Sequence, residues 1–321
     1  PIFKLSKTFY LNKGIVYRST GSWYLVKDSQ GIFYSCRIKG KFRIQGIKST
    51  NPIAVGDQVE FDLVEEGSEM LGIITEIGPR ENYLVRKSVN LSKQTHIIAS
   101  NIDQAFLLIT LNNPPTSFAF IDRFLITTEA YQIPAVLLFN KMDTYSDEEK
   151  VEVSWMQSVY ESIGYACYQI SSFNKKDVRL IGELMENKSS MFTGHSGVGK
   201  STLLNAISPG LNLKTKVISE QHQQGQHTTT FAEMFDLKSG AKLIDTPGIK
   251  GFGLVDIKKN EISKYFPEFN RLSNKCKFNN CLHVNEPKCE VKKAIDLNLI
   301  SSSRYKSYIQ LLEVENTYRN S

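Results

Sequence analysis

The chain reads as a multidomain α/β protein: a small β-barrel, then a doubly wound parallel sheet, then an α-rich segment held by a metal. Three observations carry this reading. Residues 1–95 hold short alternating apolar runs broken by Gly, Asp, Asn or Pro. The middle of the chain alternates apolar runs with amphipathic stretches, the pattern of βαβ units. The last part gathers three cysteines and a histidine within fourteen positions. At 321 residues and 41% hydrophobic composition, more than one ordinary folded core is expected.

Each element has its own warrant. The runs 14–17, 23–26, 32–38, 58–63 and 71–77 are short, rich in β-branched and aromatic residues, and separated by turn formers, which predicts a small antiparallel barrel. In the middle, the strand-like run 135–139 is flanked by amphipathic helices predicted over 117–131 and 147–163. In the second of these, Val151, Trp155, Val159 and Ile163 recur at four-residue steps and are expected to face the core. A terminal helix is predicted over 304–318. The division that follows is 1–95, 96–257 and 258–321.

The strongest motif is Gly194-His195-Ser196-Gly197-Val198-Gly199-Lys200-Ser201, between a strand-like run and a helix that continues through Thr202. Glycines at this spacing let backbone N–H groups turn inward around phosphate oxygens, Lys200 supplies a cation, and the Ser201 hydroxyl suits Mg²⁺. Asp245-Thr246-Pro247-Gly248 follows an apolar run, which places the Asp245 carboxylate at a strand tip for a metal-bound water and the Gly248 N–H for a terminal phosphate. Asn140-Lys141-Met142-Asp143 follows the run 135–139. Asp143 can accept from both N–H donors on one edge of guanine, whereas adenine offers no such pair, so a guanine nucleotide (GTP or GDP) is expected. Ser171 and Ser172 after another strand-like run are a weaker signal for the same base, since two serines also make a turn or cap.

The base motif precedes the phosphate motif, the reverse of the order in small GTPases. The parts are circularly permuted. Between the phosphate loop and Asp245 lies the polar stretch 223–230, in which Thr229, with Thr228 next, is expected to reach Mg²⁺, a Ser/Thr-rich surface loop being the alternative. Ile249 stands where a Ras-like enzyme carries its water-orienting Gln, so His227 is the candidate for that task, a solvent-exposed loop histidine being the alternative.

Cys276, Cys281, His283 and Cys289 have the spacing of a closed Cys3His zinc site. Cys36 and Cys167 stand alone in strand-like runs and read as core thiols. No apolar run approaches 18 residues, which argues against a membrane span and for a cytoplasmic protein. Charge is uneven: 14 Lys+Arg against 9 Asp+Glu in residues 1–95, 13 against 17 in 96–257, and 12 against 7 in 258–321, making +5, −4 and +5 and the stated total of +6. Basic flanks around an acidic centre, with Phe33, Tyr34 and Phe42 interleaved among Arg37, Lys39, Lys41 and Arg43, fit an RNA-holding barrel, while a lysine-rich edge strand is the plainer alternative for that loop.

These motifs, in this order, resemble the RsgA (YjeQ) family of circularly permuted GTPases of small-subunit ribosome biogenesis. The resemblance covers nearly the whole chain. It implies an N-terminal OB-fold β-barrel, a central circularly permuted P-loop GTPase and a C-terminal zinc-binding α-rich domain. It further implies a monomer whose GTP hydrolysis is stimulated by the small ribosomal subunit and its 16S rRNA, with His227 in the catalytic position. Gln226 departs from the Arg common there and places the strength of that stimulation in question. Two other function classes stay open on the residues alone: an RNA-binding checkpoint with negligible turnover, and a P-loop ATPase or small-molecule kinase.

Overall fold

The computed structural model describes residues 12–38, 52–66, 69–87, 95–211, 232–246 and 257–317. In chain order the first strands are β1 (Asn12–Ser19), β2 (Tyr24–Asp28), β3 (Phe33–Ile38), β4 (Gln58–Glu66), β5 (Glu69–Ile77), β6 (Tyr83–Lys87) and β7 (Thr95–Ser100). Then come β8 (Gln104–Ile109), α1 (Phe118–Ala130), β9 (Ala135–Phe139), α2 (Asp147–Glu161), β10 (Ala166–Gln169), α3 (Lys175–Met185), β11 (Ser189–Thr193) and α4 (Lys200–Ile207). The chain continues through β12 (Glu233–Asp236), β13 (Lys242–Asp245), α5 (Pro267–Ser273), α6 (Glu290–Asp296) and α7 (Ser302–Thr317).

These elements form two compact units. One comprises residues 1–102, 225–237 and 242–248; the other comprises 103–224, 238–241 and 249–321.

In the first unit, β1 pairs with β2, β2 with β3, β3 with β5 in parallel, β5 with β4, and β4 back with β1, so five strands close on themselves. Closure leaves no open edge in the ring, and this order is that of an OB barrel. Register shifts in β1 and β4 supply the bends that closure requires. Val16, Tyr24, Val26, Cys36, Val59, Phe61 and Ile74 fill the interior, so Cys36 is the core thiol its sequence context predicts. At the barrel's exit the buried Asp57 carboxylate accepts from Arg80 (2.6 Å), the Ser100 hydroxyl (2.6 Å) and the Ala54 N–H (2.8 Å). Further along β1, Arg18 pairs in antiparallel register with Glu233 of β12, and β12 pairs with β13.

In the second unit a parallel sheet runs β10-β9-β8-β11. Every residue of β8 is buried, as both-faced coverage by helices demands. The helix starts follow local rules. The Ser117 side chain caps α1 by accepting from the Phe120 N–H, and Ser146 with Glu149 forms a capping box on α2.

The expected inward stripe of α2 is corrected by the structure. Val159 is buried, but Val151 and Trp155 are 70% and 53% exposed, and the buried stripe is Val153, Met156, Val159 and Tyr160. Four-residue steps overshoot the 3.6-residue turn by about 40° each, so a strict four-step series winds off the face on which it starts.

The C-terminal elements share a core with α1. Ile126 of α1 packs in one cluster with Phe266, Phe269, Val291, Tyr308 and Leu311. Arg304 of α7 is fully buried there, donating to Asp122 of α1 (2.6 Å) and to Glu268 of α5 (2.7 and 3.1 Å), with the Phe266 ring 4.5 Å from its guanidinium carbon.

Candidate functional site

The phosphate loop leaves β11 at Gly194 and enters α4 at Lys200, so the positive end of the α4 helix faces the loop's concave side. Gly194, Gly197 and Gly199 all have positive φ (151°, 90° and 99°). At Gly199 the constraint is double: a Cβ there would also stand 2.4 Å from the Asn140 Nδ2 atom. Only glycine lets the two loops approach this closely.

Asn140, at the end of β9, is what joins them. Its side chain is buried; Nδ2 donates to the Val198 carbonyl (2.8 Å) and Oδ1 accepts from the Ser172 N–H (3.2 Å) and hydroxyl (3.1 Å). One amide thus binds the 140–143, 171–172 and 194–199 loops into a single body. Lys141 adopts a left-handed conformation and its ammonium donates to the Asn113 carbonyl (2.6 Å), pinning the loop that follows β8. Asp143 is exposed on the one-turn helix after Lys141. Ser171 is buried, its N–H donating to Asp177 (2.8 Å) and its hydroxyl accepting from the Phe173 N–H (3.2 Å). The His195 ring packs on Phe120 at 4.0 Å between centroids. Ser196, Ser201 and Thr202 complete the loop and the first turn of α4.

The structure therefore brings together Asn140, Lys141, Ser171, Ser172 and the phosphate loop within the second unit. Asp245 ends β13 in the first unit, after the buried Leu243 and Ile244, where the sequence placed it. His227, Thr228, Thr229, Gly248 and Ile249 lie outside the described residues, as do Lys39, Lys41, Phe42 and Arg43.

Cys276, Cys281, His283 and Cys289 converge, their ligand atoms all within 4.8 Å of one another. Cys276 and Cys289 sulfurs are 3.9 Å apart, and His283 Nδ1 is 3.3 Å from Cys289 Sγ and 3.7 Å from Cys276 Sγ. A tetrahedron with metal–sulfur bonds near 2.3 Å has edges of about 3.8 Å, so the cluster has the dimensions of a zinc site. The Cys276–Cys289 separation is far beyond a disulfide bond. Burial pushes the Cys281 thiol up to about 12 and raises Cys289, so charged thiolates here call for a cation.

The shell around this cluster escaped the sequence reading. Glu286 accepts from the N–H groups of Leu282 (2.8 Å), Val284 (2.9 Å) and Asn285 (3.1 Å), folding the ligand loop around one carboxylate. From α7, the Tyr305 hydroxyl donates to the His283 carbonyl (2.8 Å) and the Tyr308 hydroxyl to the Leu282 carbonyl (2.6 Å). The tyrosines were visible as a helical stripe, but nothing in their spacing marked hydroxyls aimed at a metal loop.

The barrel carries an open groove of about 770 Å³ lined by Arg18, Trp23, Phe33, Tyr34, Arg37 and Met70, among others. Trp23 and Phe33 are 40% and 48% exposed, and the Arg37 guanidinium lies 4.0 Å from the Trp23 ring centre. Aromatic faces beside guanidinium groups suit unpaired bases and their phosphates.

A Gly-x4-Gly-Lys-Ser loop bound through Asn140 to an Asn-Lys-x-Asp loop that precedes it in the chain is the arrangement of a circularly permuted P-loop GTPase, here with a barrel before it and a Cys3His cluster after it. The family model described as RsgA GTPase matches residues 77–255, and that of the RsgA N-terminal domain matches residues 13–74. A relative from Christiangramia forsetii, named small ribosomal subunit biogenesis GTPase RsgA, is 64% identical, covering 96% of this chain and 98% of its own. The crystal structure of YjeQ from Thermotoga maritima matches with a TM-score of 0.77 at 32% identity, over 95% of this chain and 98% of that one. That of YloQ, described as a circularly permuted GTPase, matches with a TM-score of 0.73 at 31% identity, over 96% of each chain. The chain belongs to the RsgA family of GTP-hydrolysing enzymes. Among its described residues, no helix is long and apolar enough to cross a membrane.

Proposed function

We propose that this chain binds the small ribosomal subunit late in its assembly, hydrolyses GTP when docked, and dissociates afterwards. The observation that carries the reading is the aromatic and cationic barrel groove, in a chain whose relatives are named for small-subunit biogenesis. The three-part division 1–95, 96–257 and 258–321 serves this: an RNA-binding barrel, the GTPase, and a zinc domain whose basic character extends the contact to 16S rRNA. The chain acts as a monomer in the cytoplasm.

In the site, Asp143 accepts from guanine, and Asn140 holds its loop in place. The loop amides of residues 194–199 cradle phosphates and Lys200 neutralises their charge. Ser201 and Thr229 would hold Mg²⁺, Asp245 would add its carboxylate charge to the ion's surroundings, and the Gly248 N–H would be available to the terminal phosphate. Mg²⁺, when bound, supplies charge stabilisation as phosphate is transferred to water. His227 orients that water, since Ile249 cannot hydrogen-bond to it. One Zn²⁺ on Cys276, Cys281, His283 and Cys289 stabilises the C-terminal fold.

Single-turnover GTP hydrolysis measured with and without small subunits, alongside co-sedimentation in each nucleotide state, tests this reading. Stimulated turnover and release after hydrolysis are expected. Equal turnover with and without subunits would overturn it.

A further inference from the structure

We propose that Arg18 is a positioning residue for GTP hydrolysis, coupling anion binding in the barrel groove to the Asp245 carboxylate through Glu233. The inference rests on the reading above, in which Asp245 adds its charge to the surroundings of Mg²⁺ and the groove takes RNA. Three residues stand in one row across three strands: Arg18 of β1 is in register with Glu233 of β12, and Glu233 with Asp245 of β13. Directly opposed residues on neighbouring strands project from the same face, with Cβ atoms about 4.5–5.5 Å apart.

The geometry of β1 favours this contact. The pairing of β1 with β2 slips between Val16 and Arg18, leaving Tyr17 as the extra residue, and such bulges re-aim the side chains beside them. Arg18 Nε donates to the Glu233 carboxylate at 2.9 Å, and a second guanidinium nitrogen bonds the same oxygen. Beside it, the Tyr17 hydroxyl donates to Asp236 at 2.6 Å, and Lys27 pairs with Asp236 too. Tyr17 also meets Phe33 edge-on at 5.3 Å, and the Lys27 ammonium lies 5.4 Å from the Phe33 ring centre. Arg18 and Phe33 are themselves walls of the groove. Each of these side-chain ties to β12 therefore starts from a residue that lines the groove or packs on one that does.

The chemistry gives the coupling a direction. Glu233 and Asp245 are like charges directly opposed, an unfavourable pair unless one is neutralised, and Arg18 neutralises Glu233. The Arg18–Glu233 pair is half-exposed, with side-chain exposures of 48% and 30%, so it is cheap to open. An RNA phosphate entering the groove competes for the guanidinium, which binds phosphate well. When Arg18 turns to the phosphate, the Glu233 charge is bared opposite Asp245 and the negative potential there deepens. The site then holds its divalent cation more tightly. Binding in the barrel is thereby reported at the metal.

The test is the Mg²⁺ concentration that half-maximally slows dissociation of a fluorescent GTP analogue, measured on the full chain with and without small subunits. For the parent protein, subunits should lower this concentration several-fold, within the roughly 5- to 150-fold typical of coupled sites. Glu233→Gln should abolish the shift and, by freeing Arg18 from its competing carboxylate, lower the half-saturating subunit concentration, while leaving the thermal midpoint unchanged. Glu233→Asp should retain part of the shift, and Arg18→Gln should lower the Mg²⁺ requirement without subunits. A Glu233→Gln protein with the parent's full shift would overturn the inference. A parent protein that subunits neither bind nor stimulate would remove the reading beneath it, and the inference with it.

Discussion

Asn140 shows how much one side chain can organise. Its three hydrogen bonds reach loops that are 32 and 58 positions away in the chain, so its partners are not legible from spacing, whereas its identity was. The motif residues were readable because phosphate and guanine demand fixed residue types at fixed intervals; their mutual contacts were not, because these depend on how β9, β10 and β11 align. Asp143 is where this chemistry is most exposed to test. Asp143→Asn should move preference from guanine toward xanthine nucleotides, since a side-chain amide donates where xanthine presents a carbonyl; equilibrium titration with both families measures it. His227→Ala should leave GTP affinity nearly unchanged and lower subunit-stimulated hydrolysis by roughly 10²–10⁴-fold, the range for loss of a positioned acid–base group. Paired hydrolysis assays at saturating GTP decide it, and undiminished stimulation would make His227 a bystander. In the barrel, Asp57 accepts from Arg80, Ser100 and Ala54. Asp57→Ala strips a buried cation of its partner and should cost about 3–5 kcal/mol in denaturant unfolding.

At the scale of elements, α7 is the connecting strut. Arg304 grips α1 and α5, and within about one turn Tyr305 and Tyr308 hold the carbonyls of the metal loop. The helix itself was legible from its apolar period, and its observed span of 302–317 sits close to the predicted 304–318. Its polar role was not, because a buried arginine looks like a surface one until its partners, 36 and 182 positions away, fold around it. The misplaced face of α2 has the same origin: periodicity locates a stripe, but only packing fixes which side of the helix is covered. Chelation tests the strut. Freshly purified protein should carry about one zinc per chain, and its removal should raise hydrogen exchange in residues 281–291 and α7 while GDP affinity stays within about twofold. Protein purified without chelator that carries no zinc would contradict the assignment.

At the scale of the molecule, the permuted order was plain in the sequence, and so were a barrel, a doubly wound sheet and a C-terminal Cys3His cluster. The composition of the compact units was not plain. Residues 225–237 and 242–248 group with the barrel although the chain around them groups with the phosphate loop. That association runs through pairing of β1 with β12, a long-range contact that no local pattern encodes.

The double duty of β1 bears on how this enzyme can be dissected. Its first half closes the barrel against β4, and its second half covers the outer side of β12. A protein produced from residue 103 onward would lose that cover and present β12 as a bare edge, with backbone donors and acceptors free to recruit another copy. Such a truncated GTPase should self-associate with rising concentration, visible as growing mass in light scattering, where the full chain stays constant. Charged substitutions along β12 should suppress the association.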